Sequence, residues 1–192
     1  MTATISGDTG IDLIQDGAVA TADIANGVVT PAKLSQPLTL GTAQATTSGT
    51  SIDFTGIPSW VKRITAMFNG VSTSGISRPI IQLGSGSIQS TGYVSASGRT
   101  NSANNAACVS ETIGMVMLCD NATFALRGAI TLLHMGGNLW AASGVLTDAV
   151  GLVVISVGGN VTLAGVLDRI RLTTVNGTDT FDAGSVNILY EG

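Results

Sequence analysis

This sequence has little charge: Asp, Glu, Lys and Arg together make up 10% of its 192 residues. The eight basic residues are scattered from Lys33 to Arg171 without a run, and the net charge is −4, so no nucleic-acid partner is expected. Two cysteines, Cys108 and Cys119, and one histidine, His134, fall short of a closed four-ligand site, and neither a metal nor another cofactor is expected. Whether the two thiols pair is left open, because a disulfide depends on geometry that spacing does not supply. The longest apolar run, Ala149 to Val157, is too short to cross a bilayer as a helix and is followed by Gly158, Gly159 and Asn160. It reads as a buried strand closed by a turn, and no membrane insertion is expected. The N-terminus has no basic start joined to an apolar stretch and a small-residue cleavage site, so assembly in a cytoplasm is the expectation.

What is present favours strands. Hydrophobic residues reach 44% and glycines number 25, while Glu and Lys, the usual surface residues of helices, are scarce. The segment Lys62 to Phe68 ends in Asn69-Gly70, and Arg169 to Val175 ends in Asn176-Gly177; both endings are turn signals. Phe124, Leu126, Ile130 and Leu132 fall on alternate positions of one run, Asn138 to Val145 forms another, and Val186, Ile188 and Tyr190 alternate near the C-terminus. About eight to ten strands at turn-punctuated spacing predict an all-β fold, an antiparallel β-sandwich or jelly-roll-like head over 51–192. Residues 36–50, with Pro37 and a Thr-Thr-Ser-Gly-Thr cluster, read as a linker.

The first 35 residues carry a short repeat. Asp16 to Ile24 is followed ten residues later by Asn26 to Leu34, matching Gly17 with Gly27, Val19 with Val29, and Ile24 with Leu34. Each unit has only two or three apolar side chains, too few to bury one another, so parallel copies from other subunits are expected to supply the contacts. An extended or fibrous N-terminal segment is predicted, with Ile11, Leu13, Ile14, Val19, Ile24, Val29 and Leu34 serving attachment and oligomerisation. High apolar content with little charge predicts association in general.

Two segments are more specific than any compositional argument: TSIDFTGIPSWVKRITAMFNGVSTSG from Thr50 to Gly75, and LDRIRLTTVNGTDTFDAGSVNILYE from Leu167 to Glu191. Both resemble C-terminal domains of bacteriophage tail fibre proteins. The Gly-x-Val-Thr-x-x-Lys-Leu wording of the second repeat unit also resembles units that precede such domains. The resemblance implies a virion structural protein of a tailed phage: a homotrimer with an N-terminal attachment region gripping another virion protein, and a β-sandwich head involved in host attachment. The chain is far shorter than a long tail fibre, which leaves a short fibre, a capsid decoration or head fibre, and a tail adaptor all open.

An enzyme is not expected. With one histidine, a Ser-His-Asp triad would have to use His134, which falls in register with an apolar strand face and reads as structural. Asp120, Asp148, Asp168, Asp179 and Asp182 could in principle supply a carboxylate pair, but suit turns and ion pairs. The stretch Gly84 to Gly92 is glycine-rich without the Gly-Lys-Ser/Thr ending of a phosphate loop. The region from Ser85 to Ala107 has the weakest strand alternation, so the receptor surface, for a cell-surface glycan or protein, is placed there: Gln89, Tyr93, Arg99, Asn101, Asn104 and Asn105, with Trp140 as an outlying contributor.

Overall fold

The structure is a computed structural model that describes residues 22, 24–30, 33, 34, 36–148 and 152–192. The chain divides into two units, residues 1–37 and 38–192. The described residues hold no α-helix. The second unit is a two-sheet antiparallel β-sandwich, as the composition and alternation predict.

With strands numbered in chain order, the larger sheet has nine. From one edge to the other it runs β8 (Ala106–Glu111), β7 (Val94–Asn101), β12 (Val153–Thr162), β11 (Leu139–Asp148), β10 (Leu126–Gly136), β4 (Arg63–Thr73), β14 (Phe181–Glu191) and β1 (Thr39–Leu40), with β2 (Gln44–Ala45) also on β14. The smaller sheet has five strands: β3 (Ser51–Thr55), β13 (Arg169–Thr174), β5 (Pro79–Ser85) and β6 (Ser87–Ile88) in order, and β9 (Met115–Val116) on β5. Four of the fourteen span two residues, leaving ten longer strands. The middle of the large sheet, β10-β11-β12, is an antiparallel meander.

One apolar cluster joins the two sheets, from Ile52 and Phe54 on β3 through Ile64, Ile130, Leu132 and Leu146 on the large sheet to Ile170 and Leu172 on β13. The alternation that builds it is plain on β14, where Val186 and Ile188 are buried, and on β12, where Val153, Ile155 and Val157 are buried while Val154 is exposed. Because successive residues of a strand point to opposite faces, each strand gives the core every second side chain.

Three expectations are corrected. Asn69-Gly70 does not end a strand; β4 continues to Thr73, and its buried positions switch from even-numbered (Ile64, Ala66, Phe68) to odd (Val71, Thr73) across this pair. The pairing with β14 shifts register beside it, between Ala183 and Ser185. Gly70 (φ +69°) and Gly184 (φ +89°) supply the left-handed backbone of a bulge, and an added Cβ on Gly184 would strike the Gly70 carbonyl. Glycine in this conformation suits a hairpin turn and a bulge equally; Asn176-Gly177 is the turn expected, with the Gly177 amide bonded to Thr174 O at 3.0 Å. The expected turn at Gly158-Gly159-Asn160 is strand interior, pairing with Ser95, Ala96 and Val94 of β7, and β12 is buried on one face only. The expected linker 36–50 is largely part of the sandwich: β1 and β2 pair with β14, and Thr46 is fully buried, its amide on Gly184 O and its hydroxyl on Ala183 O.

Ile11, Leu13, Ile14 and Val19 lie outside the described residues. Ile24, Val29 and Leu34 are exposed.

Candidate functional site

The residues chosen for receptor contact do not form one surface. Tyr93 is 1% exposed, and its ring lies in the core between the sheets. Its hydroxyl accepts the Leu83 amide at 2.7 Å and donates to the Gln89 carbonyl at 3.0 Å, tying the start of β7 to β5. Trp140 is 3% exposed on the inner face of β11, packed on His134 with ring centroids 5.1 Å apart. A ring closed off by its own sandwich cannot stack on a sugar, so both are withdrawn as contact residues. The stretch from Ser85 to Ala107 is itself mainly strand: β6, β7 and the start of β8.

The remaining five are partly engaged. Arg99 forms an ion pair with Asp120. Asn101 shapes the β7–β8 hairpin: its side-chain oxygen accepts the amides of Ala103 (3.1 Å) and Asn105 (2.9 Å). Asn104 has φ +62° in the same turn, a conformation asparagine tolerates better than most residues. Gln89 donates from Nε2 to the carbonyls of Thr91 and Thr162, both at 3.0 Å.

Gln89 lines a recess of about 290 Å³ with Ser85, Ser87, Ser90 and Thr91. Ser90 also lines a larger groove of about 390 Å³ with Ser51, Gln82, Arg171, Thr173 and Asn176. Much of the groove's polarity is already bonded internally: Gln82 Nε2 donates to Ile113 O at 2.9 Å, the Thr173 hydroxyl to Thr50 O at 2.8 Å, and Arg171 grips Asp53 through two contacts of 2.7 Å. The serine and threonine hydroxyls on these shallow surfaces suit a neutral, polyhydroxyl or peptide partner better than a small apolar ligand.

The other chemistry-bearing groups have structural partners. His134 Nε2 lies 2.7 Å from the Gly137 carbonyl, beside a pocket of about 100 Å³ whose lining contains no carboxylate to orient it. Asp168 accepts the Gly86 amide and pairs with Arg169 at 2.7 Å; the guanidinium, with help from that amide, holds its carboxyl below the usual range. Asp179 accepts from Ser77 N and Asn176 Nδ2, Asp182 from the Ser72 hydroxyl, and Asp148, fully buried, from the Ala125 amide at 2.8 Å. Among the described residues no group of three or more His, Cys, Asp or Glu is placed to hold a metal ion. Cys108 is exposed and Cys119 buried, and both are free thiols.

Burial pushes Tyr93 up to about 12 and Cys119 up to about 12, in each case because the charged form would lose its water. A folded-state pKa raised above the unfolded value gives stability that is complete below the unfolded pKa and lost as pH rises through the folded one. The melting temperature is therefore expected to hold up to about pH 9 and to fall between roughly pH 9 and 12. Circular dichroism melts over that range check it; a flat profile to pH 12 would contradict the burial of these two groups. At pH 8 a thiol reagent is expected to modify the buried Cys119 only on unfolding.

A different surface stands out by its extent. The outer face of the large sheet carries, side by side across successive strands, Leu189, Thr65, Thr131, Ser143, Gly158 and Ala96. The next row is Met67, Ala129, Val145, Ser156, Gly98 and Cys108. Neither row holds a charge. Flanking rows add the exposed side chains of Leu133, Val94 and Val154, with charge confined to the Arg63–Glu191 pair and Arg127. The sequence reading missed this face because its members are small and dispersed over seven strands; only the pairing register brings them together. No family model, curated protein or solved structure matches the chain.

Proposed function

We propose that this chain is a structural virion protein of a tailed bacteriophage, a short fibre-type subunit that assembles as a homotrimer and contributes to host attachment. The observation that carries the reading is the N-terminal repeat. Its matched positions Ile24 and Leu34, and Val29, stand 44%, 50% and 55% exposed. Apolar side chains at a fixed ten-residue interval, too few to make a core, call for partners outside the chain. The compact head with shallow neutral grooves complements them: a rigid scaffold presenting polar loops, whose hydroxyls and amides fit a cell-surface glycan or protein.

Burial of Tyr93 and Trp140 favours a second reading. Without its two candidate aromatic platforms the head has less to offer a sugar, and as a capsid decoration or tail adaptor it would bind virion neighbours alone. Gold labelling of intact particles separates the two. Label at the distal tip of the tail supports the fibre reading, and label on the capsid shell or along the tail shaft transfers the protein to the second. The grooves meeting at Ser90 are the place to test host contact: Ser90→Trp is expected to leave melting within about 1 kcal/mol, as an exposed substitution should, while reducing adsorption to host cells. Unchanged adsorption would remove these grooves as the contact site.

Deleting residues 1–37 is expected to leave a folded head with β-type circular dichroism, since the sandwich begins at Leu38, and to abolish incorporation into particles. Loss of folding would show instead that the segment belongs to the core.

A further inference from the structure

The outer face of the large sheet has a build that a solvated sheet face rarely has. Strand faces turned to water normally carry Lys, Glu or Arg among Thr and Ser. Here the two central rows are uncharged across the sheet, and the exposed apolar side chains are large: Val94, Val145 and Val154 are each more than half exposed, joined by Leu133 and by Met135 at the end of β10. Single exposed hydrophobic residues need no explanation, but five on one face of one sheet do.

We infer that this face is the surface through which copies of the chain pack against one another. Three properties select a second copy as the occupant. With no charge in the central rows, the face offers no handle to a phosphate backbone, an anionic lipid surface or a charged peptide, and it matches a surface that is equally uncharged. Gly98, Gly158, Ala96 and Ala129 keep it low, so neighbouring copies can approach closely around a three-fold axis, one edge of the face on each copy meeting the other edge on the next. The area is also sufficient: six intervals of about 4.8 Å between seven strands and four rows about 6.8 Å apart give on the order of 600 Å² per copy, at the lower end of the ~600–1,000 Å² per partner of a stable interface.

The inference deepens the homotrimer of the proposed function and rests on that part of it, whereas the virion role is not needed for it. Sedimentation of the full chain at micromolar concentration tests it, using Ser143→Arg with Val145→Arg and, as control, Ile76→Arg, a loop residue 72% exposed and away from this face. The expected result is an oligomeric wild type and control, and a monomeric double variant that keeps its β-type circular dichroism. Should the two arginines impair folding, Val145→Asn is expected to weaken association at least tenfold without that effect. A monomeric wild type would overturn both the trimer and this interface. An oligomer undiminished in the double variant and in Val145→Asn would overturn the interface alone and leave the trimer standing on another surface.

Discussion

Replacing Tyr93 with alanine is expected to destabilise the head by about 5 kcal/mol, of which about 4 comes from the void left by an aromatic ring and the rest from unmade hydrogen bonds. The ring is among the largest fully buried side chains, and its hydroxyl is the acceptor the Leu83 amide uses. Tyr93→Phe separates the two contributions: the ring stays, the Leu83 amide loses that acceptor, and the expected cost is about 1–3 kcal/mol. For a domain of this size, 5 kcal/mol corresponds to a drop in melting temperature of roughly 10–20 °C. Thermal melts of the three proteins are sufficient. A Tyr93→Ala variant melting within a few degrees of wild type would mean that the residue is not in the core, and would reopen it as a receptor contact.

The second large effect is expected at Gly144, in the middle of β11. A Cβ there would lie 2.5 Å from the Ala129 carbonyl oxygen and 2.7 Å from the Ile130 Cα, both backbone atoms of the neighbouring strand. Backbone within a central strand cannot move aside as a side-chain tip can, so Gly144→Ala is expected to cost about 3 kcal/mol by overpacking. Urea unfolding should show a lower midpoint with an unchanged slope. An unchanged midpoint would show that β10 and β11 separate more easily than their continuous pairing implies.

How far the sequence could be read depended on whether inward positions were apolar. On β14, Val186 and Ile188 announce the strand, and both are buried. On β7 the corresponding inward residues are Ser95 and Ser97, each almost fully buried, so the alternation is one of size and hydrogen bonding and not of hydropathy. Their hydroxyl oxygens accept the amides of Val116 and Leu118, satisfying backbone groups that would otherwise be buried unpaired. A serine-rich strand of this kind reads as a loop, and so as a candidate receptor surface. Asn69-Gly70 misled for a related reason: the pair encodes a backbone conformation, and whether that conformation makes a turn or a bulge is decided by the strands alongside. The outer face was illegible because no window of the sequence contains it.

Membership of the virion, proposed above, is read from the composition of purified particles. Particles banded in a density gradient, analysed by mass spectrometry, are expected to contain the full-length chain at a fixed copy number. Particles made with the chain lacking residues 1–37 are expected to have lost it, while the truncated head accumulates folded in the lysate. Gradient-purified, infectious particles that contain none of the full-length chain would contradict the claim.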